Sequence, residues 1–202
     1  MSYCERMSPM SRSLEIEYKS MLTAEEYQRV KTQLKLSETD FFVQTNHYFD
    51  SADWQLRSRQ MGLRIRQFPD KAELTLKLPQ PTGLLEVTDP LTLTEAQTIL
   101  TTKHLPAGHV TAELEQQGIN PRQLQPIGSL TTKRAEVALP EGLLALDESW
   151  YGTEHDYEIE LEVTDALSGA QNFQLLLNKW QILKKGAKNK VQRMIEALHP
   201  FN

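Results

Sequence analysis

Leu14-Glu15-Ile16-Glu17-Tyr18-Lys19 alternates without a break, with Leu14, Ile16 and Tyr18 on one side and Glu15, Glu17 and Lys19 on the other. A period of two is that of a half-buried β-strand, because successive side chains of an extended chain point to opposite faces. The charged side of this segment carries both signs in three positions. That combination is what the rest of the chain repeats.

Strand patterns follow at residues 41–50, 63–68, 72–78, 84–87, 126–139, 143–150 and 155–163, with turns marked by Pro69-Asp70, by 79–83 and by Pro140-Glu141-Gly142. Helical spacing appears after Thr23, where Glu26 three residues on completes a capping box for a helix running to about Leu36. A short helical turn is expected over 53–59. Helices are predicted over 94–104, capped by Thr94, over 109–117, ended by Gly118, over 168–183 through Leu175, Leu176 and Trp180, and over 191–198. Residues 1–12 show no periodicity and read as a lead-in. Many strands joined by short turns, with helices in the middle and at the end, predict an α+β fold on a largely antiparallel sheet rather than a doubly wound parallel one.

The polar faces have an unusual composition. Arg64 and Arg66 stand opposite Leu63 and Ile65. Glu73, Thr75 and Lys77 stand opposite Leu74, Leu76 and Leu78, and Glu86 lies between Leu85 and Val87. Arg134 and Glu136 alternate with Ala135 and Val137; Glu158, Glu160 and Glu162 alternate with Ile159 and Leu161. Neighbouring carboxylates in that last series lie about 7 Å apart and repel unless a counter-charge sits among them. Together with Glu15 and Glu17 they offer hard oxygen ligands for Mg²⁺ or Mn²⁺. Arg64, Arg66, Lys77 and Arg134 offer donors for phosphate oxygens. A ligand that needs both signs is a metal–polyphosphate. An open sheet would show these faces to water, whereas a closed barrel would turn them inward.

Composition sets the bounds. The 202 residues suffice for one domain with a sizeable core, and 39% hydrophobic with 24% charged residues excludes wholesale disorder. The net charge of -5 gives no reason to expect nucleic-acid binding. Cys4 is the single cysteine, which excludes an internal disulfide and suits a reducing compartment. No stretch reaches the roughly 18 apolar residues of a membrane span, and Met1 to Met10 lacks a signal peptide's apolar core. A cytoplasmic protein is expected.

In order along the chain, Glu15-Ile16-Glu17-Tyr18-Lys19, Tyr48-Phe49-Asp50, Gly62-Leu63-Arg64-Ile65-Arg66, Thr75-Leu76-Lys77, Glu86, Thr132-Lys133-Arg134, Asp147 and Asp156 through Glu162 resemble the motifs of CYTH domains, also called triphosphate tunnel metalloenzymes. The first is that family's ExExK signature, and the resemblance covers residues 13–195, implying a single domain over 13–198 after the lead-in. It implies a closed eight-stranded antiparallel β-barrel with helices packed outside, forming a tunnel for triphosphates. Members hydrolyse inorganic triphosphate, thiamine triphosphate or RNA 5′-triphosphate ends, and some cyclise ATP to cAMP. By position, Glu15, Glu17, Glu158, Glu160 and Glu162 would hold metal, with Glu86 and Asp147 supporting that side. Lys19, Arg64, Arg66, Lys77 and Arg134 would hold phosphates. The family uses a Glu-x-Glu pair where this chain has three carboxylates, and Glu160 with Glu162 is favoured over Glu158. Lys190 with Arg193 matches a late Lys-x-x-Arg pattern, with Lys188 as an alternative.

The expected activity is metal-dependent triphosphate hydrolysis, with Lys19, Glu17 and Glu160 as the catalytic set. Lys19 would help activate water if neighbouring cations lowered its pKa; otherwise it contacts phosphate. The alternatives are a class IV-type adenylate cyclase, for which no base pocket is legible, and a non-catalytic nucleotide- or polyphosphate-binding module. His47, His104, His109, His155 and His199 are scattered and do not read as ligands. Trp54, Trp150 and Trp180 read as packing anchors. The physiological substrate and the oligomeric state are not encoded legibly.

Overall fold

β1 (Ser11–Leu22) pairs antiparallel with β8 (Glu154–Val163), so the first and last strands among the described residues are neighbours. Between them come α1 (Ala24–Gln33), β2 (Phe41–Ser51), α2 (Gln55–Ser58), β3 (Gly62–Gln67), β4 (Ala72–Pro79), β5 (Leu84–Leu91), α3 (Leu93–Thr102), α4 (His109–Gln116), β6 (Leu124–Leu139) and β7 (Gly142–Tyr151). α5 (Ala166–Lys179) and α6 (Lys190–Leu198) follow β8. The strands close into an antiparallel barrel in the order β1-β5-β4-β3-β2-β6-β7-β8, as expected. The computed structural model describes residues 11–198; Cys4, His199 and the expected lead-in up to residue 10 lie outside the described residues.

Two compact units are present. The first comprises residues 11–14, His47–Gln80 and Leu84–Ile127. In it the apolar faces of β3, β4 and β5 (Leu63, Ile65, Leu74, Leu76, Leu78 and Val87) pack with Ala96 and Ile99 of α3 and Val110 and Leu114 of α4. The second comprises Glu15–Asn46, Pro81–Gly83 and residues 128–198. There Leu144, Leu146, Ile159, Leu161 and Val163 of β7 and β8 pack with Tyr27 and Val30 of α1 and Phe173, Leu176 and Leu177 of α5. In each unit the helices cover the apolar strand faces. An eight-stranded barrel is too narrow inside to hold helices, so the helix-covered apolar faces are the outer ones and the charged faces turn inward.

Local chemistry fixes the element ends. Thr23 and Glu26 form the predicted capping box of α1. The box of α3 is Thr92 with Glu95, two residues before the predicted Thr94, because Glu95 reaches back to the Thr92 amide at 2.8 Å. α5 starts earlier than predicted, with Asp165 accepting from the Ser168 amide at 2.8 Å, and ends at Lys179 rather than 183. Its buried side is Phe173, Leu176 and Leu177, while Leu175 is exposed. β1 is longer than its strict alternation and begins inside the expected lead-in; β5 continues past 87 through Pro90. Trp180 is buried as expected, but Trp150 is exposed and stacks on His155. Among the described residues, no helix is long and apolar enough to cross a membrane.

Candidate metal and phosphate site

Strand register assembles the acidic side of the second unit. Across β6, β7 and β8, Arg134 lies opposite Asp147 and Asp147 opposite Glu158. Across β1 and β8, Lys19 lies opposite Glu160 and Glu17 opposite Glu162. Directly opposed residues have Cβ atoms about 5 Å apart, which brings distant charges of the sequence into contact. Asp147, Glu158 and Glu160 each place a carboxylate oxygen within 4.8 Å of the others'. All three side chains are largely shielded from water, and Asp147 and Glu158 completely so.

Cations hold this group together. Arg134 donates to Asp147 through Nε at 2.8 Å and Nη2 at 2.6 Å, and to Glu160 Oε2 at 2.5 Å. Lys190, the first residue of α6, reaches Asp147 Oδ2 at 2.8 Å, Glu160 Oε1 at 2.7 Å and Glu158 Oε2. Arg193, one turn further, donates from Nη2 to Glu158 Oε2 at 3.0 Å and places Nε 3.0 Å from Asp156 Oδ2. Its Nη1 donates to the Lys188 carbonyl at 2.9 Å. Tyr151 donates its hydroxyl proton to Asp156. Lys188 itself is 58% exposed and pairs with Glu196, so of the two late lysines Lys190 is the one in the cluster.

Burial alone would push the Asp147 and Glu160 carboxyls up, but Arg134 and Lys190 outweigh it and hold both below the usual carboxylate range, Glu160 well below. The reverse balance raises Lys190 well above an ordinary lysine: burial opposes, and the three carboxylates win. Lys19 donates to Glu17. Its burial favours the neutral amine, yet Glu17, Glu160 and Glu158 raise its pKa. The neighbours expected to lower that pKa were cations; the neighbours present are carboxylates. These carboxylates favour the charged ammonium of Lys19.

Glu158 Oε1 is buried without a hydrogen-bond partner. A buried carboxylate oxygen left bare is costly unless something else occupies it. Three clustered carboxylates with a spare buried oxygen fit a hard divalent cation such as Mg²⁺ or Mn²⁺. Glu162 is exposed and sits further along β8, opposite Glu17 and Leu143, outside that trio. Glu15 is half-buried on β1.

The first unit carries a separate charged face. Lys77 lies opposite Glu86, with Nζ 2.9 Å from Oε1, and Arg64 Nη2 lies 3.5 Å from the same oxygen. Arg66 lies opposite Glu73 at 3.7 Å. Thr75 and Thr88, opposite one another, share a hydrogen bond of 3.2 Å. Burial would raise the Glu86 carboxyl, but Lys77 and Arg64 lower it. Arg64, Arg66 and Lys77 thus share this face with Glu73 and Glu86, and Arg64 keeps one buried guanidinium donor, Nε, without a hydrogen-bond partner.

The CYTH domain profile matches residues 13–195. The chain belongs to the CYTH family. A Bacillus subtilis protein named "Putative triphosphatase YjbK" is 40% identical over 187 residues, which span 93% of this chain and 97% of that one. The crystal structure of a "putative adenylate cyclase" from Bacillus halodurans is also 40% identical, with a TM-score of 0.87 over 90% of this chain and 97% of that one. A Hippeastrum protein described as a "Putative adenylyl cyclase" with "a dominant triphophatase activity" shares the fold at 24% identity, with a TM-score of 0.76 over 90% and 95% of the two chains.

Two CYTH residues in the cluster escaped the candidate set, Asp156 and Tyr151. Asp156 extends the Glu158-Glu160-Glu162 alternation by one step, so its face was legible although its contact with Arg193 was not. Among the described residues, no histidine joins the carboxylate cluster. His47 bonds Gln67, His109 bonds Asp89 and His155 bonds Glu148.

Proposed function

We propose that this CYTH protein hydrolyses a triphosphate in a reaction dependent on Mg²⁺ or Mn²⁺. The observation that carries the reading is the buried trio Asp147, Glu158 and Glu160, with Glu158 Oε1 left without a partner. The name of the Bacillus subtilis relative points the same way.

Asp147, Glu158 and Glu160, joined by Glu17, are the proposed metal ligands, with Glu15, Glu86 and Glu162 as supporting carboxylates. A divalent ion held there would offset charge on the phosphate oxygens and activate water. Arg64, Arg66, Lys77 and Lys19 are the proposed phosphate contacts, neutralising charge that develops on equatorial and leaving oxygens. Arg64 keeps a buried N–H available for this. Arg134 and Arg193 already engage carboxylates and are proposed to position them. In the reaction a water oxygen bonds to the terminal phosphorus and the bridging P–O bond breaks. The diphosphate end leaves with the bond's electron pair, and the water's proton passes to solvent. Its one cysteine, Cys4, suits a cytoplasmic setting, which we also propose.

A second reading, cyclisation of ATP, is favoured by the name of the Bacillus halodurans relative. Purified protein incubated with tripolyphosphate, ATP and thiamine triphosphate, with Mg²⁺ or Mn²⁺, separates the readings. Orthophosphate release that chelator abolishes supports hydrolysis. Production of cAMP supports cyclisation, and binding without product reduces the protein to a binding module.

A further inference from the structure

The trio of carboxylates already has counter-charges. Three cations contact it directly, Arg134, Lys190 and Arg193, of which Arg193 is shared with Asp156. They are not equivalent. Arg134 grips Asp147 through two nitrogens from within β6, and Arg193 is held by Asp156 and the Lys188 carbonyl as well as by Glu158. Lys190 touches all three carboxylates through a single nitrogen. An ammonium so placed takes up the oxygens that would converge on a metal ion.

Helix energetics give no reason for a lysine there. Lys190 is the first residue of α6, whose first turn contains no acidic residue, and a positive charge at a helix N-terminus opposes the helix dipole. The carboxylates hold it in place against that preference. Adding a divalent ion while Lys190 stays would crowd further positive charge against an ammonium in a site shielded from water, which is strongly unfavourable.

We propose that Lys190 is the resident counter-cation of the carboxylate trio in the metal-free protein, and that a divalent metal binds by displacing it. The released ammonium, carried on the N-terminus of α6, then becomes available to an incoming anion. Arg193 keeps the helix attached through Asp156. Metal and triphosphate binding are coupled as a result, because each relieves the charge imbalance that the other creates. This inference rests on the metal reading of the trio.

The test is calorimetric titration of Mn²⁺, without triphosphate, into the wild-type protein and the Lys190→Met variant. Removing the competing ammonium is expected to tighten Mn²⁺ binding by about tenfold or more. A second experiment uses wild-type protein alone: brief acylation of amines followed by peptide mass spectrometry. Lys190, 12% exposed, is expected to react slowly without metal and several-fold faster with saturating Mn²⁺, while Lys188, 58% exposed, reacts in both. Mn²⁺ affinity that is equal or weaker in the variant, or Lys190 labelling that Mn²⁺ leaves unchanged or lowers, overturns the displacement and leaves the metal site standing. Absence of Mn²⁺ binding to either protein overturns both. If the variant does not fold, the labelling result decides.

Discussion

Arg134 holds Asp147 in a two-point fork, Nε to Oδ1 at 2.8 Å and Nη2 to Oδ2 at 2.6 Å, across adjacent strands. The carboxylate is fully buried, and the fork, with Lys190 at 2.8 Å from Oδ2, is what makes its charge tolerable. Replacing Arg134 by Ala is expected to destabilise the protein by about 3 kcal/mol, the cost of stripping one partner from a buried ion pair. Arg134→Lys restores the charge without the fork and should recover only part of this. Urea denaturation at neutral pH measures both; a loss of under about 0.5 kcal/mol in the Ala variant would contradict the role given to the pair.

Glu17 and Arg64 stand for the two chemical sides of the proposed site. Glu17→Gln keeps the side chain's shape but removes a ligand charge, and should lower metal-dependent turnover on the order of 100-fold. Arg64→Ala removes phosphate donors and should raise KM for tripolyphosphate about tenfold. Steady-state kinetics over a range of metal concentrations checks both. Wild-type turnover in the Glu17 variant would remove it from the metal ligands, and unchanged KM in the Arg64 variant would remove it from the phosphate contacts.

Gly83 and Gly118 both adopt positive φ, at 77° and 71°, but their surroundings differ. A Cβ on Gly83 would collide with the backbone carbonyl of Glu15, while one on Gly118 would meet nothing. Gly118→Ala should cost about 1 kcal/mol of backbone strain. Gly83→Ala should cost more, about 2–3 kcal/mol, and disturb β1 beside its charged face. Thermal unfolding of the two variants checks the order.

The Glu26 carboxyl closes the capping box of α1 and pairs with Lys185. Partial burial pushes its pKa up, but the Lys185 and Thr23 hydrogen bonds outweigh that and lower it. A depressed folded pKa means that the stabilisation is fully present above the unfolded value, about 4.3, and is lost as pH falls through the folded one. Wild type should therefore lose stability on going from pH 6 to pH 3 by more than Glu26→Gln does. Denaturant midpoints at the two pH values measure the difference, and equal losses would refute it.

Legibility in the sequence followed distance along the chain. The alternation of β1 and the Thr23–Glu26 box were readable because their signals lie within a few residues. Thr92 and Thr94 are each followed three residues later by Glu95 or Gln97, so two capping patterns overlap, and only the bond formed by Glu95 decides between them. The strand pattern at 84–87 stops short, because β5 runs on through Pro90 to Leu91. Asp147, Glu158 and Glu160 were all legible as metal-side carboxylates, but their grouping as one trio was not. Which carboxylate meets Arg134, and whether Glu158 or Glu162 lies nearer Asp147, depends on strand register, and a two-residue shift leaves the alternation unchanged. Lys190 was separable from Lys188 only once α6 was seen to begin at Lys190, which points that residue and Arg193 toward the sheet together.

The β1–β8 ladder matches Ile16 with Val163 and Lys19 with Glu160, so every residue between those partners must be made before that seam can form. Contacts of such high sequence separation are entropically late and slow to nucleate. During synthesis, β1 emerges long before its partner and waits with an unpaired edge. Lys190, which contacts the trio, emerges later still. A ribosome-bound chain that has exposed β8 but not α6 therefore carries Asp147, Glu158 and Glu160 without two of their cations, Lys190 and Arg193.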